Sequence, residues 1–297
     1  MTRSASRLVP AILALCAAGS AAALDHEFAF APLVLGAAPG STPEYYVGLE
    51  ASLQSKITDD YRVVHDDAAL GLDGQFRAYG LGIALNTDWS LGQAPDVSRP
   101  GSHTSPGQWQ RAELKLDWAL EIRDPRDTSI PLLQIIPHFT WITYPHQRSY
   151  DVPGYRNYLK GKQRWFGADA WLALPIEGVE VGAGIEQNIS SEWRATRGGI
   201  GGREFIQYNS LDIALWQKLN FADSEYRNTI GGKDSTGLTT LAAGARITTP
   251  VFVQDVYAFV ETEASFWLSQ EIRNNFRNGG QDGGDFVISV GLDYKPQ

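Results

Sequence analysis

Large apolar residues alternate with small or polar residues along most of this chain. In residues 112–122, for example, Leu114, Leu116 and Trp118 are separated by charged residues. A period of two with one apolar face predicts a half-buried β-strand, because successive side chains of a strand point to opposite sides. An α-helix would instead scatter the charges around its circumference. The pattern therefore predicts an all-β protein.

The same alternation recurs at intervals, and loops rich in Gly, Pro, Asn and Ser separate the segments. It predicts further strands at residues 45–53, 79–86, 133–141, 166–174, 179–186, 211–216, 241–247, 256–266 and 286–294. Residues 28–35 are a weaker candidate, because Pro32 restricts a strand to a sheet edge or a first position.

The predicted connections alternate between short and long ones. The short ones lie at residues 123–129, at 175–178 and near Pro250, and the long ones include the polar stretches 92–107, 145–162, 193–202 and 271–284. An antiparallel barrel with both termini at one end needs an even number of strands, and this requires one more strand between Leu219 and Thr236. We assign it to residues 224–230, which brings the prediction to about 12 strands, with 10 as the alternative.

The last predicted strand places five apolar residues on one face, ending in an aromatic ring: Phe286, Ile288, Val290, Leu292 and Tyr294. This stretch resembles the closing strand of bacterial outer-membrane β-barrel proteins of the porin-like type. The resemblance implies a single antiparallel up-and-down transmembrane β-barrel in the outer membrane of a Gram-negative cell. It also implies that these five residues contact outer-membrane lipid and act as an assembly signal for the barrel-assembly machinery. The chain departs from the pattern because residues 295–297 follow the aromatic residue.

The N-terminus has the features of a secretory signal peptide. Arg3 and Arg7 precede an apolar stretch from Leu8 to Ala18, and small residues follow up to Ala23. We predict cleavage after residue 23, which leaves residues 24–297 as one barrel domain. The only cysteine, Cys16, would be removed, so disulfides and thiolate metal sites are excluded.

A soluble β-barrel or sandwich with the apolar face inward is the alternative fold. In that case the other face would meet water, yet it carries glycines such as Gly82, Gly182, Gly244 and Gly291. Soluble surfaces usually present long charged side chains. A crowded, concave interior explains the glycines better and favours the membrane barrel.

The face opposite the apolar one would line the lumen of the barrel. It carries the acidic residues Glu50, Glu113, Asp117, Glu121, Asp169, Glu180, Glu186, Asp212, Glu261, Glu263 and Asp293, and the basic residues Lys115 and Arg246. With a formal net charge of −9 for the chain, nucleic acid is excluded as a partner. The acidic excess predicts a small water-filled channel that prefers cations and passes small solutes by diffusion. The alternative is a structural or ligand-binding barrel whose lumen is plugged by charge pairing.

An enzyme is the remaining class. Outer-membrane lipid hydrolases place a His and a Ser nucleophile on neighbouring strand positions that face lipid. The nearest match here is His138 with Thr140, but Thr replaces Ser and the pattern turns both residues toward the lumen. No catalytic residue is predicted, and because the other histidines lack ligand spacing, no metal or cofactor is predicted either.

Overall fold

The structure is a computed structural model. It describes residues 45–59, 62–65, 67–93, 105–124, 127–144, 150–152, 155–157, 162–176, 178–190, 194–251, 253–278 and 283–295. The predicted signal peptide, residues 1–23, and the candidate strand at 28–35 lie outside these ranges.

The described chain consists of strands and two helices. In chain order they are β1 Tyr45–Gln54, β2 Ile57–Asp59, β3 Arg62–His65, β4 Ala69–Ala78, β5 Leu81–Ser90, β6 Trp109–Trp118, β7 Leu120–Asp124, β8 Asp127–Thr143, β9 Tyr150–Val152, β10 Tyr155–Asn157, β11 Lys162–Ala173, β12 Val179–Asn188, β13 Thr196–Tyr208, β14 Leu211–Ala222, α1 Ser224–Gly231, β15 Gly237–Pro250, β16 Val256–Trp267, α2 Gln270–Asn278 and β17 Gly284–Tyr294. None of the described helices is long and apolar enough to cross a membrane.

Within the described residues, thirteen strands form one antiparallel sheet that closes on itself. β6 and β7 both pair with β8 and are the two halves of a single barrel strand interrupted at Ala119, so the barrel has twelve strands. Closure occurs because β8 pairs with β11 and β17 pairs with β1. The predicted all-β, up-and-down barrel of about 12 strands is confirmed, and the closed ring leaves no sheet edge exposed.

The two ends of the barrel differ in their connections. At one end, which we call the short-turn end, tight turns join neighbouring strands. The turn at Tyr79 and Gly80, for instance, has φ values of 51° and 83°, as expected for a hairpin in which both central residues are left-handed. β1 begins and β17 finishes at this end. The opposite end, the long-connection end, carries the small hairpins β2–β3 and β9–β10 and the helices α1 and α2.

The count of twelve is reached with different strands from those predicted. Residues 224–230 form helix α1 and not a strand, so that prediction is wrong. The Asp223 side chain accepts a hydrogen bond from the Tyr226 N–H at the start of the helix, and Gly232, at φ 70°, terminates it. In compensation, two barrel strands were not predicted: β4, and β13, whose first residues fall in the predicted loop at 193–202.

The closing strand β17 completes the ring by pairing with the first barrel strand. β17 pairs with β1, in a register that runs from Leu49 opposite Tyr294 to Gln54 opposite Ser289. β17 also pairs with β16, so both of its sides are occupied, and the candidate strand at residues 28–35 lies outside the described residues. The predicted hairpin of β11 and β12 is confirmed.

The outer surface of the barrel is apolar. Large side chains that alternate with inward residues remain exposed, for example Leu49 at 55%, Leu116 at 42% and Leu292 at 53% of their maximum. Monomeric soluble proteins rarely expose contiguous apolar patches larger than a few hundred Å². A closed barrel with an apolar band around its outside is suited to hydrocarbon, because all backbone groups are paired within the ring. The fold is that of a transmembrane barrel.

Candidate functional site

The inward faces of the strands form a polar interior that extends through the barrel. All thirteen charged residues predicted for the lumen occupy inward positions. Nine of them, Glu113, Lys115, Asp169, Glu180, Glu186, Arg246, Glu261, Glu263 and Asp293, are buried, whereas Glu50, Asp117, Glu121 and Asp212 are half-buried. Their predicted role, a field that attracts cations, remains a prediction.

The interior carries more basic residues than the sequence predicted. Arg77 lies on β4, and Arg197 and Arg203 lie on β13, the two strands that sequence reasoning missed; Arg111 and Lys218 lie on positions of β6 and β14 outside the predicted segments. Among the described residues that are fully buried, nine are acidic and nine are basic. The buried interior is therefore close to charge balance.

Many of these charges form ion pairs along the inner wall, within one strand or between strands. Arg111 forms an ion pair with Glu113. Arg203 forms one with Glu180, and Arg77 forms one with Asp117. The second nitrogen of Arg111 lies 3.5 Å from Asp88, and Arg197 lies 3.4 Å from Glu186. Because both partners of each pair are largely removed from water, each charge depends on the other for stabilisation.

Arg246, on β15, is the most highly connected cation near the short-turn end. Its guanidinium lies 2.9 Å from Glu261, 2.9 Å from Glu50 and 3.2 Å from Asp293, and stacks 3.7 Å above the Phe259 ring. These contacts link β15, β16, β17 and β1 through one side chain. Lys295 also forms an ion pair with Asp293.

His138 is fully buried at an inward position of β8. Its Nδ1 lies 3.5 Å from Asp169 and its Nε2 lies 3.9 Å from Glu186. Thr140 is buried on the same inward face. Neither residue faces lipid, so this pair lacks the exposure that a lipid-hydrolysing dyad needs. Within the described ranges, no group of three or more His, Cys, Asp or Glu residues has an arrangement that could hold a metal ion.

Two tryptophans, Trp171 on β11 and Trp216 on β14, are buried on the inward face of the barrel. The Trp216 indole N–H donates to Glu263 Oε2 at 3.0 Å. The Arg203 guanidinium lies 4.3 Å from the centroid of the Trp171 ring. Amphipathic rings fill the interior while their edges engage charged groups.

An apolar cluster occupies the long-connection end. α1 contributes Tyr226 and Ile230, and α2 contributes Ile272 and Phe276; they pack with residues at strand ends that include Trp165, Trp267, Ile142 and Tyr144. Asn275 donates to the Gly231 carbonyl at 2.7 Å, and Lys233 pairs with Glu271, which joins the two helices. We call α1 and α2 the helical cap. Apolar residues four apart within each helix were a sequence signal for it.

A cavity of about 50 Å³ opens near the short-turn end, and we call it the short-turn cavity. It lies on the inner side of β1, close to the seam with β17. Its lining includes Tyr46, Gly48, Glu50, Asp73, Gln75, Arg246, Asp293 and Lys295. Charged groups of both signs therefore line one pocket.

No protein-family model and no curated protein matches the sequence. The chain is similar to solved structures of β-barrels. One is a KdgM porin, which is 9% identical in sequence; the match covers 85% of this chain and 99% of the porin, with a TM-score of 0.46. Another is a NanC porin, which is also 9% identical; the match covers 84% of this chain and 100% of the porin, with a TM-score of 0.48. An outer membrane channel from Pseudomonas putida F1 is 11% identical in sequence, and the match covers 86% of this chain and 97% of that channel, with a TM-score of 0.42.

Proposed function

We propose that the protein is an outer-membrane channel of small bore that passes small cations in preference to anions. In this proposal the signal peptide directs export, the barrel-assembly machinery inserts the chain, and residues 286–294 provide the assembly signal against outer-membrane lipid. The helical cap keeps the channel closed at the long-connection end in the conformation described here.

The observation that carries the proposal is the column of buried charge inside the barrel. Removing a charged group from water is costly, and a merely structural interior filled with neutral side chains would avoid that cost. Charged residues at membrane depth usually line a pathway for ions or polar solutes. The mixed charges of this interior can replace part of the hydration shell of a small ion.

The cation preference rests on residues that line the interior without being fully buried. Five half-buried acidic residues on inward strand positions, Glu50, Asp73, Asp117, Glu121 and Asp212, add to the balanced buried set. Among the described inward strand positions, Arg123 is the half-buried base. The remaining negative field favours cations, less strongly than the sequence alone suggested.

Loosening the helical cap is expected to raise the conductance. The double variant Ile272→Ala with Phe276→Ala removes two buried anchors of α2, so the helix loses its apolar contact with the barrel mouth. In planar bilayers we expect small wild-type currents and a single-channel conductance several-fold higher for the variant.

Phe221→Ala is the matched control for the cap experiment, because this phenylalanine lies outward on β14 and is 36% exposed. It should conduct like the wild type. A wild-type conductance equal to that of the cap variant would show that the cap does not close the channel.

The ion selectivity is measured separately, from the reversal potential under a KCl gradient. We expect a modest cation preference that falls in Asp212→Asn, because this substitution removes one of the half-buried inward carboxylates. Glu225→Gln, which changes an exposed residue of α1, should leave it unchanged. A reversal potential of the opposite sign would contradict the proposed cation preference.

A permanently plugged barrel with a structural or ligand-binding role is the second candidate. It is favoured by the low exposure of the inward side chains, most of which retain less than a tenth of their accessible surface, together with the apolar cluster at one mouth. Under this alternative neither the wild type nor the cap variant would conduct above background.

A further inference from the structure

We propose that the short-turn cavity is a binding site for a small zwitterionic amine, a molecule with an ammonium group and an oxygen acceptor. The proposal concerns equilibrium binding and does not depend on conduction. It rests on the charges, the unpartnered polar atoms and the space found together at this position.

Three carboxylates lie in one row across three adjacent strands. Glu50 on β1 is directly opposite Asp73 on β4 and directly opposite Asp293 on β17. All three occupy inward positions. Like charges directly opposite each other in an antiparallel pair are destabilising, so the row requires compensating positive charge.

The basic residues at the cavity compensate only part of this row. Arg246 contacts Glu50 and Asp293, and Lys295 contacts Asp293. Asp73 is held instead by the neutral Asn86, whose Nδ2 donates at 2.6 Å. No ion pair is formed by Asp73 within the described residues, so one carboxylate at the cavity lacks a cation.

Two polar atoms at the same cavity have no hydrogen-bond partner. The Oε1 of Gln75 is buried and accepts no hydrogen bond, and the Nε of Arg246 donates none although this side chain is nine-tenths buried. Buried polar groups are normally paired, because an unpaired one loses its hydrogen bonds to water without replacement. The cavity therefore offers one free acceptor and one free donor.

A zwitterionic amine satisfies both sides at once. Its ammonium group supplies donors and positive charge to Asp73 and to Gln75, and its carboxylate accepts from the Arg246 Nε–H. Space for the ligand is provided by the cavity itself, whose lining includes Asp73, Gln75 and Arg246. Charge-assisted hydrogen bonds of this kind are about twice as strong as neutral ones.

The test uses glycine as the probe and calorimetric titration of the full-length protein in detergent micelles. Acetate and methylammonium each carry one half of the probe, so we expect both to bind at least tenfold more weakly than glycine. Asp73→Asn should weaken glycine binding tenfold or more. Asp212→Asn, the same change at an inward acid outside the cavity, should leave it unchanged.

Folding of each variant is checked by heat-modifiable migration before titration. Absence of glycine binding to the wild type, acetate binding as tight as glycine, or equal binding by Asp73→Asn would each overturn the proposal. In the last case Asp73 would be a structural acid that is protonated at rest. Because no membrane potential is involved, a channel that fails to conduct does not affect this result.

Discussion

Replacing Val290 with arginine is expected to prevent the barrel from inserting into membranes. Val290 points outward from the middle of β17, is 41% exposed, and lies opposite Leu53 on β1 and Val260 on β16. An arginine facing hydrocarbon near the bilayer midplane costs roughly 2–4 kcal/mol. This lowers the folded-to-unfolded ratio by about 30- to 1,000-fold. The measurement is the fraction of heat-modifiable, folded protein after refolding into lipid vesicles.

Val290→Phe is the matched control, since phenylalanine is larger than valine but suits a lipid-facing position. It should insert like the wild type. If Val290→Arg refolded as well as Val290→Phe and needed no lipid, the apolar band would not be a membrane surface and the soluble alternative would be favoured.

Replacing Arg246 with methionine is expected to destabilise the barrel by about 3–5 kcal/mol, the usual effect of removing one partner of a buried ion pair. The substitution keeps similar length and apolar contact with Phe259 but leaves Glu50, Glu261 and Asp293 without the guanidinium that joins them. Their mutual repulsion then acts between three neighbouring strands, β16, β17 and β1. Urea-dependent unfolding in vesicles, followed by tryptophan fluorescence, measures the change.

Two further variants isolate the cause of this loss. Arg246→Lys retains the charge but not the planar fork that reaches three carboxylates, so an intermediate loss is expected. Arg194→Met changes an exposed arginine and should alter the free energy of unfolding by no more than about 0.5 kcal/mol. Equal stability of the wild type and Arg246→Met would mean that the carboxylates around Arg246 are neutral in the folded barrel.

Strand faces are the part of this structure that the sequence predicts well. A period of two depends only on which residues face lipid, so it assigned every predicted lumen charge to an inward position. The period of two also places Trp171 and Trp216 on the inward face, although tryptophan generally prefers membrane interfaces. What the pattern does not contain is which charges meet, because pairing depends on register between strands that are distant in sequence.

The strands that were missed have identifiable physical reasons. β13 contains Gly198, Gly199, Gly201 and Gly202, a composition that normally marks a loop. Here glycine allows close approach to the neighbouring strand: a Cβ at Gly199 would lie 2.9 Å from the Leu219 carbonyl oxygen, and one at Gly201 would lie 2.6 Å from that of Gln217. Missing this strand also meant missing two of its arginines, which explains why the interior seemed so acidic.

Helix α1 of the helical cap was missed because a strand was assigned in its place. Requiring an even strand count introduced a strand at residues 224–230, where the local sequence carries a helix N-cap and a C-terminal glycine. These local helix signals were correct, and the even strand count was not a sufficient reason to assign a strand here. The predicted number of strands was nevertheless twelve, because the candidates at residues 224–230 and 28–35 were counted while β4 and β13 were not.

The closed ring also determines how the protein is expected to come apart. Since every barrel strand is hydrogen-bonded on both sides, no strand can fray from an edge, and unfolding must begin by parting one seam. The seam between β1 and β17 pairs six residues of each strand, whereas β1 and β4 pair ten. We therefore expect the β1–β17 seam to part first, so that a kinetic barrier at this seam, to which Arg246 adds contacts on both sides, sets the lifetime of the folded barrel.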